Sequence, residues 1–211
     1  MLEFLFAPLL AFKPIIAVSL FSIMILILIN LFYKFLINQA DAKQIKNRIK
    51  ELNQKMKEDQ KSGKPTSEAM SEIMQENNKM MKMNMKPMLA SFVIIILFLP
   101  WLSGTYGDQL VTLEENTGEV TIDSQTYQVE KINDKIEINE LGISCEAPCR
   151  VDIGDSTWNI EYYDNTVKFG RIIALLPIPL PLFGDDLGWL GWYFIFSIPI
   201  IIIIRKILKI V

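Results

Sequence analysis

Residues 71–102 read SEIMQENNKMMKMNMKPMLASFVIIILFLPWL. The part up to Leu89 sets six methionines among lysines and asparagines. The part after it is apolar without a charge. Methionine is flexible and polarizable, so it packs against many apolar surfaces. What such a run can do beside lysine depends on where the apolar block lies.

Two further blocks bear on this. Pro14 to Tyr33 is twenty residues without a charge, and Leu187 to Ile204 is eighteen more. Pro87 to Gly107 is also uncharged, with Met88 to Leu102 as its dense core. A bilayer core of ~30 Å takes ~20 apolar helical residues. The first and third blocks meet this, and the second fits a thinned or tilted crossing. The chain is 51% hydrophobic with mean hydropathy +0.28. A soluble domain of 211 residues is usually less apolar. The first block is too long for a signal-peptide core of ~7–15 residues and no small-x-small site comes after it. It is expected to stay as an anchor.

Charge orients the spans. Residues 34–86 carry twelve Lys/Arg against seven Asp/Glu, and residues 103–172 carry five against fourteen. Basic segments next to spans stay in the cytoplasm. The first connection is therefore expected inside and the second outside. Arg205, Lys206 and Lys209 place the C-terminus inside, which leaves the N-terminus outside. The expected location is the plasma membrane. Trp101, Tyr106, Trp189, Trp192 and Tyr193 would lie at the outer interface and Tyr33 at the inner one, where amphipathic rings are favoured.

Inside, Ile45, Ile49, Leu52 and Met56 recur at i, i+4, i+7 and i+11, a narrow coiled-coil seam. KSGKPTSE interrupts it. Gly63 suits a helix C-cap, Pro65 stops continuation, and Thr66 or Ser67 caps the next helix. That second helix carries Met70, Ile73, Met74, Met81, Met85 and Met88 on one broad face. The expected structure is an antiparallel hairpin. Its methionines either fill the seam between the helices or stay open, near the membrane, for apolar partners.

Outside, QLVTL, GEVTI, TYQVEKI, KIEIN, CRVDI and TWNIEYY read as short strands separated by turn residues, a small β domain. Cys145 and Cys149 lie in CEAPC. They are open to three readings: a disulfide, two buried thiols, or a redox pair with unusual spacing. LLPIPLPLFGDDLGW comes next. Its alternating prolines forbid a regular helix, so it is expected along the outer interface.

The chain has no histidine. That removes the commonest general base and metal ligand. There is no Walker-type loop, no GxGxxG and no GxSxG. No acid lies within an apolar block, so a proton relay has nothing to run on. No enzyme activity, catalytic residue, cofactor, metal or small-molecule substrate is expected. The spans carry only mild polar points. Ser19, Ser22 and Asn30, with Lys34 at the end, share about 120° of one helix face at ~100° per residue. Ser91 and Ser197 are the matching points in the other spans. They either hydrogen-bond helix to helix or line a weakly polar groove that holds water.

One span, a helical hairpin, a short Met-Pro-led span with KMNMKPML, then PIPLPLFGDDLGWLGWYF and a last span ending RKIL: this order resembles the archaeal YidC-like membrane proteins. They belong to the Oxa/YidC/Alb insertase superfamily, which includes subunits of the eukaryotic guided-entry and ER-membrane-complex insertases. The resemblance covers the spans and the hairpin. It implies a three-helix core, a cytosol-facing groove and insertion of nascent membrane segments without ATP. Bacterial relatives carry a groove arginine. Here Lys34 is the nearest base on the polar face of the first span.

The expected fold is thus an α-helical membrane protein. Residues 1–36 form an outer segment and the first transmembrane helix, and 37–86 a cytoplasmic antiparallel coiled-coil hairpin. Residues 87–107 form the second span and 108–172 an extracytoplasmic β domain. Residues 173–186 form an interfacial Pro-rich segment, and 187–211 the third span with a basic tail. The expected function is a membrane insertase or chaperone. Its partners are the lipid bilayer, nascent membrane proteins and, beside them, the ribosome. Client-binding methionines are Met70, Met74, Met81, Met85 and Met88. The groove residues are Ser19, Ser22, Asn30, Lys34, Ser91 and Ser197. The rivals are a membrane-anchored scaffold or receptor whose β domain binds a partner, and a thiol–disulfide enzyme using Cys145 and Cys149.

Overall fold

The computed structural model describes residues 6–63, 65–123, 125–180 and 184–210. Among the described residues there are four α-helices: α1 (Pro14–Leu36), α2 (Gln39–Lys61), α3 (Ser67–Tyr106) and α4 (Trp189–Leu208). Helices α1, α3 and α4 are long and apolar enough to cross a membrane. Between α3 and α4 the chain is β-rich. The chain divides into two compact units, one of residues 1–22 with 98–196, the other of 23–97 with 197–211.

The second unit holds the charged helices. Asn38 starts α2 by accepting the Ala40 N–H at 3.1 Å. The helix closes where Ser62 N–H donates to Glu58 O and Gly63 takes φ +68°, a backbone shape that costs glycine nothing. The first bond of α3 runs from Met70 N–H to Thr66 O at 3.0 Å. Helix α3 then turns back along α2. Arg48 reaches Glu72 at 2.9 Å, a contact between residues 24 apart. Ala42 and Leu52 on α2 are buried, as are Ala69 and Ile73 on α3. The Met-rich segment and the second span, divided at residue 87 in the sequence reading, form one 40-residue helix. Pro87 lacks an N–H, but the loss of one bond does not end a helix supported on both sides. Ser91 Oγ donates to Pro87 O at 2.7 Å.

The first unit holds ten strands among the described residues. β1 (Gln109–Thr112), β8 (Thr166–Ile172), β7 (Ser156–Tyr163) and β6 (Cys149–Ile153) form one antiparallel sheet in that order. β2 (Thr117–Ile122), β3 (Gln125–Ile132), β4 (Lys135–Ile138) and β5 (Ile143–Glu146) form a second. Alternate residues of both sheets meet in one core around Trp158, Ile160, Phe169, Val129 and Ile138. Two-residue turns with positive φ, such as Asp164–Asn165, join the strands. Cys145 and Cys149 are joined as a disulfide between β5 and β6. Ahead of α1, Phe6 is buried among Phe21, Phe98 and Trp101, with ring centroids 5.3, 5.7 and 4.6 Å away.

The proline-rich segment forms no helix and is instead paired as strands. β9 (Ala174–Leu180) pairs antiparallel with β10 (Gly184–Leu187). Among the described residues Pro177 and Pro179 carry no ladder partner; the register joins Leu175 to Asp186 and then Leu180 to Gly184. Prolines fit where the ladder needs no donor. Residues 181–183 lie outside the described residues. Arg150 on β6 clasps this hairpin, donating to Asp185 at 2.8 Å and Asp186 at 3.0 Å.

That clasp has a pH signature. The hydrogen bond from Arg150 holds the Asp185 carboxyl below its usual range. A depressed folded pKa contributes stability above the ordinary carboxylate value of about 3.9, lost as pH falls through the folded value. Protection of β9 amides, the observed exchange rate taken against the intrinsic rate at the same pH, should therefore be equal at pH 7 and pH 5. It should fall a few-fold only in stronger acid. Arg150→Ala should give the lowered protection at pH 7, and unchanged protection in that variant would remove the clasp.

Candidate functional site

Within the second unit, a cavity of about 770 Å³ opens beside the methionines. Tyr33 and Ile37 close one side at the end of α1, and Ala42 and Lys46 come from α2. Helix α3 contributes Met80, Met81, Asn84, Met85 and Met88; Arg205 and Ile210 complete the wall. The lining is mostly apolar, with two cations and no acid. The Arg205 guanidinium lies 5.8 Å from the Tyr33 ring centroid, a cation–π distance. Size and lining suit an apolar guest with a few polar anchors.

The methionines divide by helix face. Ala69, Ile73, Met80 and Pro87 fall on the covered side of α3, where Ala69, Ile73 and Pro87 are buried and Met80 is half-buried. Met70, Met74, Met81, Met85 and Met88 lie about a third of a turn away at ~100° per residue. They remain between 49% and 62% exposed. They therefore do not fill the seam between α2 and α3. Within this set, Met81, Met85 and Met88 reach the cavity; Met70 and Met74 do not line it. The seam on α2 consists of Leu52, fully buried, and Ile45, Ile49 and Met56, half-buried.

The polar points of the spans are mostly engaged at home. Ser19 Oγ donates to Ile15 O at 2.7 Å and accepts the Trp192 Nε1–H at 2.9 Å. Ser22 is fully buried and donates to Val18 O. These two belong to the first unit. In the second, Ser91 donates to Pro87 O, and Asn30, fully buried, donates through Nδ2 to Leu26 O. Asn30 Oδ1 and Ser197 Oγ are buried without a hydrogen-bond partner among the described residues. Lys34 is exposed and does not line the cavity. Among the described residues no group of three His, Cys, Asp or Glu could hold a metal ion.

Tyr33, Ile37, Ala42, Lys46, Met80, Arg205 and Ile210 escaped the sequence reading as site residues. Arg205 registered only as an orienting charge and Tyr33 only as an interfacial ring. The signal that could have joined them is the wrap of two basic termini, Lys46 near the start of α2 and Arg205 near the end of α4, around one apolar row.

Comparison with known families adds the decisive observation. The family described as integral membrane protein EMC3/TMCO1-like matches residues 3–114. The chain belongs to this EMC3/TMCO1-like family. The family lies within the Oxa1/YidC/Alb3 insertase-related superfamily and is associated with membrane-protein insertion. The superfamily resemblance expected from the sequence therefore holds at this coarser level. The match covers α1, α2, α3 and β1 and ends before the rest of the β-rich region. An EMC3/TMCO1-like chain with three apolar helices is a multi-pass membrane protein. No curated protein and no solved structure matches the chain.

Proposed function

We propose that this EMC3/TMCO1-like protein is an insertase of the archaeal YidC-like type, acting at the plasma membrane without nucleotide hydrolysis. In this reading the N-terminus lies outside and the C-terminus in the cytoplasm. The α2–α3 pair is a cytoplasmic coiled-coil hairpin and the β-rich unit is extracytoplasmic. A nascent apolar segment, emerging beside the ribosome, settles on the exposed methionine stripe. It then enters the bilayer along a weakly polar groove.

The observation that carries the reading is the exposed methionine stripe leading into a cavity capped by Arg205 and Lys46. Met70, Met74, Met81 and Met85, half-exposed in water ahead of the second span, have no structural use there, whereas a transient apolar guest would cover them. The groove has a defined task. A charged group near the bilayer centre costs ~2.5–3.5 kcal/mol on insertion scales. Asn30 Oδ1 and Ser197 Oγ, buried without partners among the described residues, are the polar points that a client's donor or a water would satisfy once the groove opens. The short apolar core of the second span would thin the membrane locally. Burial of the client's apolar helix supplies the driving force.

Reconstitution tests this. The full chain in liposomes should speed insertion of a single-span client with a short translocated tail by about tenfold over empty liposomes, the size of ~1.4 kcal/mol off a barrier. Equal rates would end the proposal.

A further inference from the structure

Strand β8 points Val167, Phe169 and Arg171 toward one face. The first two are fully buried core residues, and Arg171 is only 8% exposed. An arginine on a core face needs partners for all its donors. Arg171 has some of them. A terminal nitrogen donates to Asp123 at 2.7 Å, and the guanidinium stacks 4.5 Å from the ring centroid of Trp158, its cross-strand neighbour. The Arg171 Nε and the Trp158 Nε1 are buried and have no acceptor among the described residues.

Arg171 also lines a cavity of about 600 Å³ within the first unit. Lys13, Thr105, Thr121, Asp155 and Ser156 share that wall. Part of the wall is the segment that enters α1 and part is the end of α3, at Tyr106. Both are ends of membrane-crossing helices, so the cavity lies at headgroup depth. We propose that this cavity binds the phosphate of a zwitterionic phospholipid headgroup.

The Arg171 guanidinium, which lines the cavity and keeps a small exposed edge, offers its remaining terminal N–H groups to phosphate oxygens, and charge-assisted bonds to guanidinium are the strong ones. Lys13 adds a second cation with a mobile ammonium. The two carboxylates argue against a bare anion. Asp123 is already committed to Arg171, and Asp155 suits the amine of a headgroup that carries both charges. The Thr105 hydroxyl donates to Trp101 O and the Thr121 hydroxyl pairs with Thr126, so Ser156 is the hydroxyl that donates to an ester oxygen. The site rests on the three spans and the first unit, and not on the insertase reading.

Native mass spectrometry of the full chain in detergent tests it, with dioleoylphosphatidylethanolamine, dioleoylglycerol and inorganic phosphate as probes. The expected result is one retained phospholipid, no retained diacylglycerol, and about tenfold weaker retention in Arg171→Gln and in Lys13→Gln. Lys13 is exposed and outside the sheets, so Lys13→Gln keeps the test valid should Arg171→Gln fail to fold. Equal retention of diacylglycerol, or undiminished phospholipid binding in Lys13→Gln, would overturn the proposal. Displacement of the phospholipid by inorganic phosphate at millimolar concentration would assign the site to a free anion and overturn the lipid.

Discussion

Changing Met81, Met85 and Met88 together to glutamine should reduce client capture about a hundredfold. Burying an apolar side chain of this size is worth ~1.5–3 kcal/mol, so a partial cover is worth about 1 kcal/mol each. Three such contacts come to about 3 kcal/mol, which is two orders of magnitude in affinity. Glutamine keeps the length and the helix propensity of methionine, and all three positions are at least half exposed. The hairpin should therefore fold unchanged. Methionine-to-leucine changes at the same sites keep the apolar surface and should retain most of the capture. The measurement is crosslinking yield from Met80 to a nascent apolar segment. Equal yields in the glutamine variant would place capture elsewhere.

Phe169→Ala should unfold the β-rich unit while leaving insertion intact. Phe169 is fully buried in the core shared by the two sheets. Removing such a ring costs about 3–5 kcal/mol, which is much of the ~5–15 kcal/mol that holds a small domain together. Protease cleavage within 108–172 should rise sharply, while the helical segments stay protected in detergent. Insertion into liposomes should continue, because the methionine row and its cavity lie in the other unit. A scaffold whose outer domain binds a partner predicts the reverse. Loss of function in this variant, with the hairpin intact, would favour it.

The three spans were legible because a bilayer demands long uncharged runs, and no other solvent does. Helix α2 was legible from Ile45, Ile49, Leu52 and Met56, since a 3.6-residue period survives any surface decoration. Four strands were not. β5 is short, and β9 and β10 hide behind prolines and acids. β8 alternates as a strand should, but its third inward residue is Arg171, which reads as a surface charge until Trp158 and Asp123 are seen around it. Periodicity finds a helix face but not what covers it. That is why the methionines of α3 could be placed on one side from sequence, yet only the fold separated the exposed five from Ile73, read on the same face and buried.

The exposed row from Met70 to Met88 runs along a single stiff rod. Its 18 steps at ~1.5 Å each give about 27 Å, close to the ~30 Å that a segment must cover to cross a bilayer. On the proposed reading this makes the row a gauge. A guest of nine or ten apolar residues would cover half of it, and one long enough to span would cover it all. Retention would then rise with guest length and level off near twenty residues, so substrates would be sorted by size before any of them touched lipid.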